Sequence, residues 1–184
     1  SGKLDKAIEL IEKNYDKDQH WLIYCDTLPM LDKIEYNIRK IGIVPQIYHS
    51  KMNDFNKKKA LQSFERNGGL LLAMKCLDEG VNIPCISHGM VLSSTTNPRE
   101  FIQRRGRMLR KFPGKTISHI FDTFALPNKS GENIGFLFQE ILRAKELAED
   151  SENKMTSVIR LNSIIRSYGI TSIPELEAEV VYSD

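Results

Sequence analysis

Short apolar runs alternate with longer amphipathic segments through the first two thirds of the chain. The runs are rich in strand-forming residues and are bounded by turn residues, which is typical of buried strands. The segments between them place apolar residues at helical spacing and begin with capping residues. This pattern predicts strands at 21–25, 46–49, 70–74, 86–92 and 117–124, and helices at 4–15, 28–41, 54–66 and 98–110.

The order of these elements predicts an α/β fold. Strands joined through helices at this spacing form right-handed crossovers and a parallel sheet with helices on both faces. Residues 70–74 are apolar at every position, so we expect this strand to lie in the interior of the sheet. Ligands bind such sheets at the carboxyl edge, where the loops that follow the strands meet.

The pattern changes after Pro127. A polar stretch at 128–133 leads into one helix that ends near residue 149 and a second helix over 156–168. We therefore expect two domains, an α/β domain at 1–127 and a helical extension at 128–184. Each helix of the extension carries an apolar stripe. We favour packing of this pair on the sheet or on itself; docking on another domain or subunit is the alternative.

Composition sets few limits on function. The net charge of +2 is too small to indicate a nucleic-acid partner, so a basic surface would have to be local. Cys25 and Cys76 each end an apolar run, as buried free thiols do in a reducing compartment. No apolar stretch approaches transmembrane length, and the four histidines lack metal-ligand spacing. We expect a cytoplasmic protein with no membrane partner and no metal site of its own.

Residues 103–110 carry the most informative chemistry. On a helix, Gln103, Arg107 and Arg110 share one face, while apolar residues occupy the opposite face. Two permanently charged, forked guanidinium groups on one ridge suit a polyphosphate. A solvated basic face is the plainer interpretation. It explains the arginines but not Gly106 among them or the glutamine in register.

This octet resembles motif VI of the superfamily-2 helicases. Residues 71–84 resemble motif V of that family, and residues 21–27 resemble motif IV. Tyr48-His49-Ser50 resembles the neighbouring segment that contacts phosphates. The three motifs occur in the family's order, and the resemblance covers roughly residues 20–127. It implies that the sheet is the second RecA-like domain of a helicase or translocase.

The resemblance also implies roles for particular residues. Arg110 would be the arginine finger, with Arg107 beside it near the γ-phosphate and Gln103 in the network between domains. Contacts to the nucleotide would come from both arginines and the motif V turn, and contacts to nucleic acid from the ends of the strands. The implied nucleotide-binding residues are Gly80, Asn82, Arg107 and Arg110; the implied nucleic-acid-binding residues are Thr27, His49, Ser50 and Lys75.

The sequence departs from the family pattern at three positions. Met74 stands where motif V usually has threonine, and a thioether is a poor partner for phosphate. Asn82 replaces the usual aspartate and keeps an acceptor for a ribose hydroxyl while losing the charge. Arg105 lies among the apolar positions of motif VI.

Two features of the family's nucleotide site do not occur in this sequence. There is no G-x-x-x-x-G-K-[ST] loop and no strand ending in Asp-Glu to hold magnesium. In the family both lie in the first RecA-like domain, so ATP and Mg²⁺ would be held mainly there. We therefore expect that this chain does not hydrolyse ATP alone and that it works with an N-terminal RecA-like domain of the same parent chain.

The implied partner is nucleic acid, with DNA favoured over RNA. DEAD-box RNA helicases usually carry histidine at the position of Gln103, and the resemblance is closer to repair and restriction motors. One alternative is a non-catalytic helicase-like module that binds nucleic acid or protein, which Met74 and Asn82 favour. Another is a nucleotide-binding enzyme complete in itself, which the lack of a phosphate loop disfavours.

Overall fold

The computed structural model describes residues 2–74, 83–92, 113–123, 126, 134–149 and 151–170. Within these residues the chain forms five strands and five helices. In chain order they are α1 (Gly2–Asn14), β1 (His20–Cys25), α2 (Leu28–Lys40), β2 (Gln46–Tyr48), α3 (Asp54–Asn67), β3 (Gly69–Met74), β4 (His88–Leu92), β5 (His119–Asp122), α4 (Ile134–Glu149) and α5 (Lys154–Ser167). The helix predicted at 98–110 lies outside the described residues.

The strands form one sheet in the order β2-β3-β1-β4-β5, and all four pairings are parallel. The predicted α/β fold is confirmed. The apolar strand β3 lies between β2 and β1, as its composition predicts. β5 is shorter than predicted because it pairs with β4 only from His88↔His119 to Val91↔Asp122, and Ile117 before it is 49% exposed.

Alternate residues of β1 divide between two layers of helix. Trp21 and Ile23 face a core that contains Ile11 of α1 and Ile34 of α2. On the other face the ring of His20 packs edge-on against Phe64 of α3, with 5.2 Å between ring centroids. The sheet is therefore covered on both sides, which explains why β1 and β3 read as almost continuous apolar runs.

Gly68 fixes the join between α3 and β3. Its backbone has a φ of +72° and a ψ of −148°, a conformation open essentially to glycine alone. A Cβ atom here would lie 2.9 Å from the carbonyl oxygen of Gln19. The turn thus brings α3 close against the entry to β1, and β3 starts directly after it.

The chain divides into two compact units, Ser1–Thr123 and Phe124–Asp184. In the second unit, α4 and α5 pack on each other around Leu137, Ile141, Leu161 and Ile165. This is one of the packing arrangements that the apolar stripes predict. The domain boundary expected after Pro127 stays a prediction. None of the described helices is long and apolar enough to cross a membrane.

Three of the four histidines begin strands at the amino edge of the sheet. His88 of β4 stacks on Trp21 at 4.6 Å and on His119 of β5 at 4.7 Å, measured between ring centroids. The rings of Trp21, His88 and His119 stand side by side because the parallel register places these residues at one level of the sheet. Burial and the neighbouring His119 lower the pKa of His88 to about 4.

Cys25, at the other end of β1, is a buried free thiol, as predicted. Burial raises its pKa to about 12, so the group is an unreactive thiol at neutral pH. Cys76 lies outside the described residues.

Candidate functional site

The carboxyl edge of the sheet brings together the ends of three neighbouring strands. Tyr48 of β2 pairs with Ala73 of β3, which pairs with Tyr24 of β1. One residue further on, Cys25 is level with both Met74 of β3 and Leu92 of β4. The carboxyl ends of β1, β2 and β3 therefore lie side by side at one edge, as the sequence predicts for parallel strands.

Thr27 follows β1 and caps α2. Its side-chain oxygen accepts a hydrogen bond of 3.4 Å from the backbone N–H of Met30, and its carbonyl oxygen accepts one of 3.0 Å from Leu31. Pro29 in the first turn suits a helix start at this point. Because the cap uses the Thr27 oxygen as an acceptor, the exposed hydroxyl keeps its own hydrogen to donate to a phosphate oxygen.

His49 and Ser50 follow β2 in a tight turn. The carbonyl oxygen of His49 accepts a hydrogen bond of 3.2 Å from the backbone N–H of Met52, which reverses the chain toward α3. Ser50 is exposed at this turn, and His49 is half-buried. The Nδ1 atom of His49 is buried and has no hydrogen-bond partner in the part of the chain that the structure describes.

The first turn of α3 adds a basic surface next to this turn. Asn53 caps the helix by accepting a 2.8 Å hydrogen bond from the backbone N–H of Asn56. Lys57 leans back toward Asp54, with 3.8 Å between its Nζ atom and the carboxylate. Lys58 and Lys59 are both exposed.

Thr27 and Ser50 thus project from the same edge on either side of β3. Neighbouring strands lie about 4.8 Å apart, so the ends of β1 and β2 are separated by about 10 Å. The chain leaves β3 between them at Met74. Hydroxyl groups, backbone N–H groups and lysines along one sheet edge are the groups that proteins use to hold a phosphate backbone.

The remaining predicted site residues lie outside the described residues, and their roles stay predictions: Lys75, Gly80, Asn82, Gln103, Arg107 and Arg110. Among the described residues, no three His, Cys, Asp or Glu side chains lie close enough to hold a metal ion together.

One exposed aromatic residue at this edge was not predicted from the sequence. Phe55, the second residue of α3, is 75% exposed. A single exposed aromatic residue does not change the hydrophobic periodicity of a helix enough to reveal its exposure. The sequence indicates it only through the position of Phe55 just after the cap of α3.

Residues 2–112 match the family of the helicase conserved C-terminal domain. The match covers more than half of the chain, and the chain belongs to this family. It is a C-terminal RecA-like domain of the superfamily-2 type, which confirms the resemblance of motifs IV, V and VI taken together.

Among individual relatives are both RNA helicases and a DNA motor. A putative ATP-dependent RNA helicase of Methanocaldococcus jannaschii is 27% identical over 124 residues, which cover 61% of this chain and 16% of the relative. DNA 3'-5' translocase XPB2 of Sulfurisphaera tokodaii is 29% identical over 112 residues, covering 60% of this chain and 24% of the relative. The chain thus spans less than a quarter of the length of these relatives.

Solved structures share the fold. The C-terminal domain of the DEAD-box protein Dbp5 superimposes with a TM-score of 0.61 at 18% identity, covering 81% of this chain and 80% of that one. The Hef helicase domain of Pyrococcus furiosus gives a TM-score of 0.55 at 20% identity, covering 70% of this chain and 27% of that one.

Proposed function

We propose that this chain is the second motor domain of an ATP-dependent nucleic-acid helicase or translocase. The observation that supports the proposal is the sheet edge formed by β2, β3 and β1 in a chain of the helicase family. Thr27 follows β1 at this edge, and His49 and Ser50 follow β2. A first RecA-like domain of the same parent chain would supply the rest of the motor.

In this proposal nucleic acid crosses the carboxyl edge. The hydroxyl groups of Thr27 and Ser50 would donate hydrogen bonds to phosphate oxygens, His49 would add its half-buried ring, and Lys75 would add a charge. These contacts would involve the sugar-phosphate backbone and not the bases, so they suit a motor that moves along nucleic acid of any sequence. Such binding weakens steeply with salt because each neutralised phosphate releases counterions.

The cofactor we propose is ATP with Mg²⁺, held mainly by the first domain. ATP supplies the phosphoryl group whose transfer to water drives the motor. From this chain, Gly80 and Asn82 would contact the nucleotide. Arg107 and Arg110 would neutralise charge on the γ-phosphate, and Gln103 would position them across the domain interface.

The carboxyl edge of the sheet suggests how nucleotide binding would be coupled to nucleic-acid binding. The segment that contains Lys75, Gly80 and Asn82 begins at the end of β3, between the ends of β1 and β2. A change at the nucleotide would therefore reach the nucleic-acid contacts through one short piece of chain. Cycles of domain closure and opening would then shift the grip on the strand by a step.

We propose DNA as the substrate. Gln103 supports this choice, and so does the similarity to a DNA 3'-5' translocase at 29% identity. The similarity to RNA helicases makes RNA the alternative.

ATP turnover by the full-length parent tests the proposal. We expect Arg110→Ala to lower nucleic-acid-stimulated turnover about a thousandfold while ATP binding is kept, since arginine fingers contribute that much to phosphoryl transfer. Arg160→Ala, which removes an exposed arginine of α5, is the matched control and should turn over as wild type does. Single- and double-stranded DNA and RNA, compared as activators, decide the substrate.

The second candidate is a helicase-like module that binds nucleic acid without a motor cycle. Met74 favours it, because the position that usually holds threonine carries a thioether that binds phosphate poorly. Nucleic-acid binding by the wild-type parent without any stimulated ATP turnover would establish this second function and exclude the first. Turnover unaffected by Arg110→Ala would remove the role proposed for Arg110.

A further inference from the structure

Phe55 lies on the solvent face of α3 at the carboxyl edge of the sheet. α3 packs on the sheet through Phe64, which is fully buried, and Phe55 falls on the opposite side of the helix. The ring is 75% exposed. Since α3 runs back from the turn at His49 and Ser50, this ring stands beside the proposed path of the nucleic acid.

Exposed lysines flank this ring. Lys58 and Lys59 follow Phe55 by three and four residues, so all three side chains share one helix face. Lys51, in the turn before α3, is exposed as well. The nearby carboxylate of Asp54 is offset by Lys57, which lies 3.8 Å from it. The segment from 49 to 59 therefore carries four lysines against one acidic residue.

Another exposed aromatic residue shows what distinguishes Phe55. Tyr36 of α2 is 60% exposed, but the ammonium group of Lys40 lies over its ring at 4.4 Å from the centroid. Tyr36 also sits in the middle of a helix, away from the strand ends. Phe55 combines an open ring, a lysine-rich face and a place at the edge where phosphates are expected.

We propose that Phe55 stacks on an unpaired base of single-stranded nucleic acid, while Lys58 and Lys59 bind the adjoining phosphates. An aromatic ring beside lysines meets both parts of a single strand, because every base has a flat apolar face and every nucleotide a negative charge. A duplex offers the phosphates but keeps its bases stacked on each other. The residue thus gives the site a preference for single strands. This inference rests on the proposed function and adds a substrate class to it.

Binding of the 184-residue chain to labelled oligothymidine, oligouridine and a duplex of the same length, measured by fluorescence anisotropy at several salt concentrations, tests the proposal. Phe55→Ala should weaken single-strand binding about five- to a hundredfold, the range for losing one stacked base. It should leave duplex binding and the salt dependence nearly unchanged. Lys58→Ala should instead make the salt dependence shallower, because one phosphate contact is lost.

Two further variants separate stacking from general damage. Phe55→Trp should keep the affinity, and its new indole fluorescence should be quenched by the bound strand. Tyr36→Ala is the matched control and should bind as wild type does. Wild-type affinity in Phe55→Ala, or an equal loss for single strand and duplex, would overturn the stacking role.

The outcomes distinguish this inference from the proposed function. If Lys58→Ala weakens binding and Phe55→Ala does not, the nucleic-acid surface stands and the stacking role fails. If the wild-type chain binds none of the three ligands, both fail. A loss of binding in Phe55→Ala that appears only with an acidic peptide as ligand would instead assign this surface to protein recognition.

Discussion

The imidazole of His88 lies between an indole and a second imidazole, and its pKa of about 4 is below the usual 6.5. Neither histidine could be recognised as part of a stack from the sequence, because the register that aligns Trp21, His88 and His119 joins residues far apart in the chain. Thr27, His49 and Ser50 could be placed, since each directly follows a strand. The location of a residue was predictable where it follows from neighbouring residues in the chain. It was not predictable where it follows from the pairing of distant strands.

The lowered pKa of His88 predicts that the sheet loses stability in acid. The folded chain keeps His88 neutral down to about pH 4, whereas the unfolded chain takes up a proton near 6.5. The contribution of neutral His88 to the free energy of unfolding is therefore complete above pH 6.5 and is lost as the pH falls toward 4. Because the ring is only half-buried, we expect a loss of about 1–2 kcal/mol.

Urea unfolding at neutral pH and at about pH 5 measures this loss. His88→Phe keeps an aromatic ring in the stack and should show a flatter pH dependence over this range. His119→Phe removes only the neighbouring charge and should fall between that variant and wild type. An unchanged pH dependence in His88→Phe would show that other groups govern acid stability.

At the scale of elements, most bounds followed from apolar runs and capping residues. α2 and α3 begin directly after Thr27 and Asn53, whose side chains accept hydrogen bonds from the first turn. The order of the strands was not predictable from their spacing. β1 and β2 are consecutive in the chain, which would suggest that they pair. Instead β3 lies between them, and β1 pairs with β3 and β4.

Thr27 caps α2 and is also proposed to contact a phosphate, and two substitutions can separate these roles. Aspartate is as good a helix cap as threonine, so Thr27→Asp should keep the free energy of unfolding. Its negative charge would repel phosphates, so nucleic-acid affinity should fall several-fold. Thr27→Ala should instead lower the free energy of unfolding by about 1 kcal/mol.

Chemical denaturation and anisotropy titrations of the two variants check these effects. If Thr27→Asp bound nucleic acid as tightly as wild type, Thr27 would be a helix cap only. Asn153→Asp, which adds a carboxylate just before α5 in the second unit, is the matched control.

At the scale of the whole molecule, the described residues include one hydrophobic core between α1, α2 and one face of the sheet. Another core joins α4 to α5 around residues that include Ile141. The apolar stripes of the two last helices predicted that they would be buried. They could not predict which surface buries them, since a stripe of this kind fits any apolar partner.

We expect the two cores to respond separately to a cavity. Ile141→Ala removes a fully buried side chain and should destabilise the helical unit by about 2–5 kcal/mol. Hydrogen exchange should then speed up in α4 and α5 while the sheet keeps its protection. Ile23→Ala in β1, also fully buried, is the converse control. Faster exchange throughout the chain in both variants would show a single cooperative unit.

The position of β3 has a consequence for how the sheet forms during synthesis. β1 and β2 leave the ribosome first, yet they are not neighbours, and each pairs with β3. No strand of this sheet can find a partner until residue 69 and those after it have emerged. Before that point the nascent chain holds two apolar strands with open edges, which is the situation that chaperones protect. A pause in translation before β3 has emerged would prolong that exposure, and a pause after it has emerged would allow β1, β2 and β3 to pair.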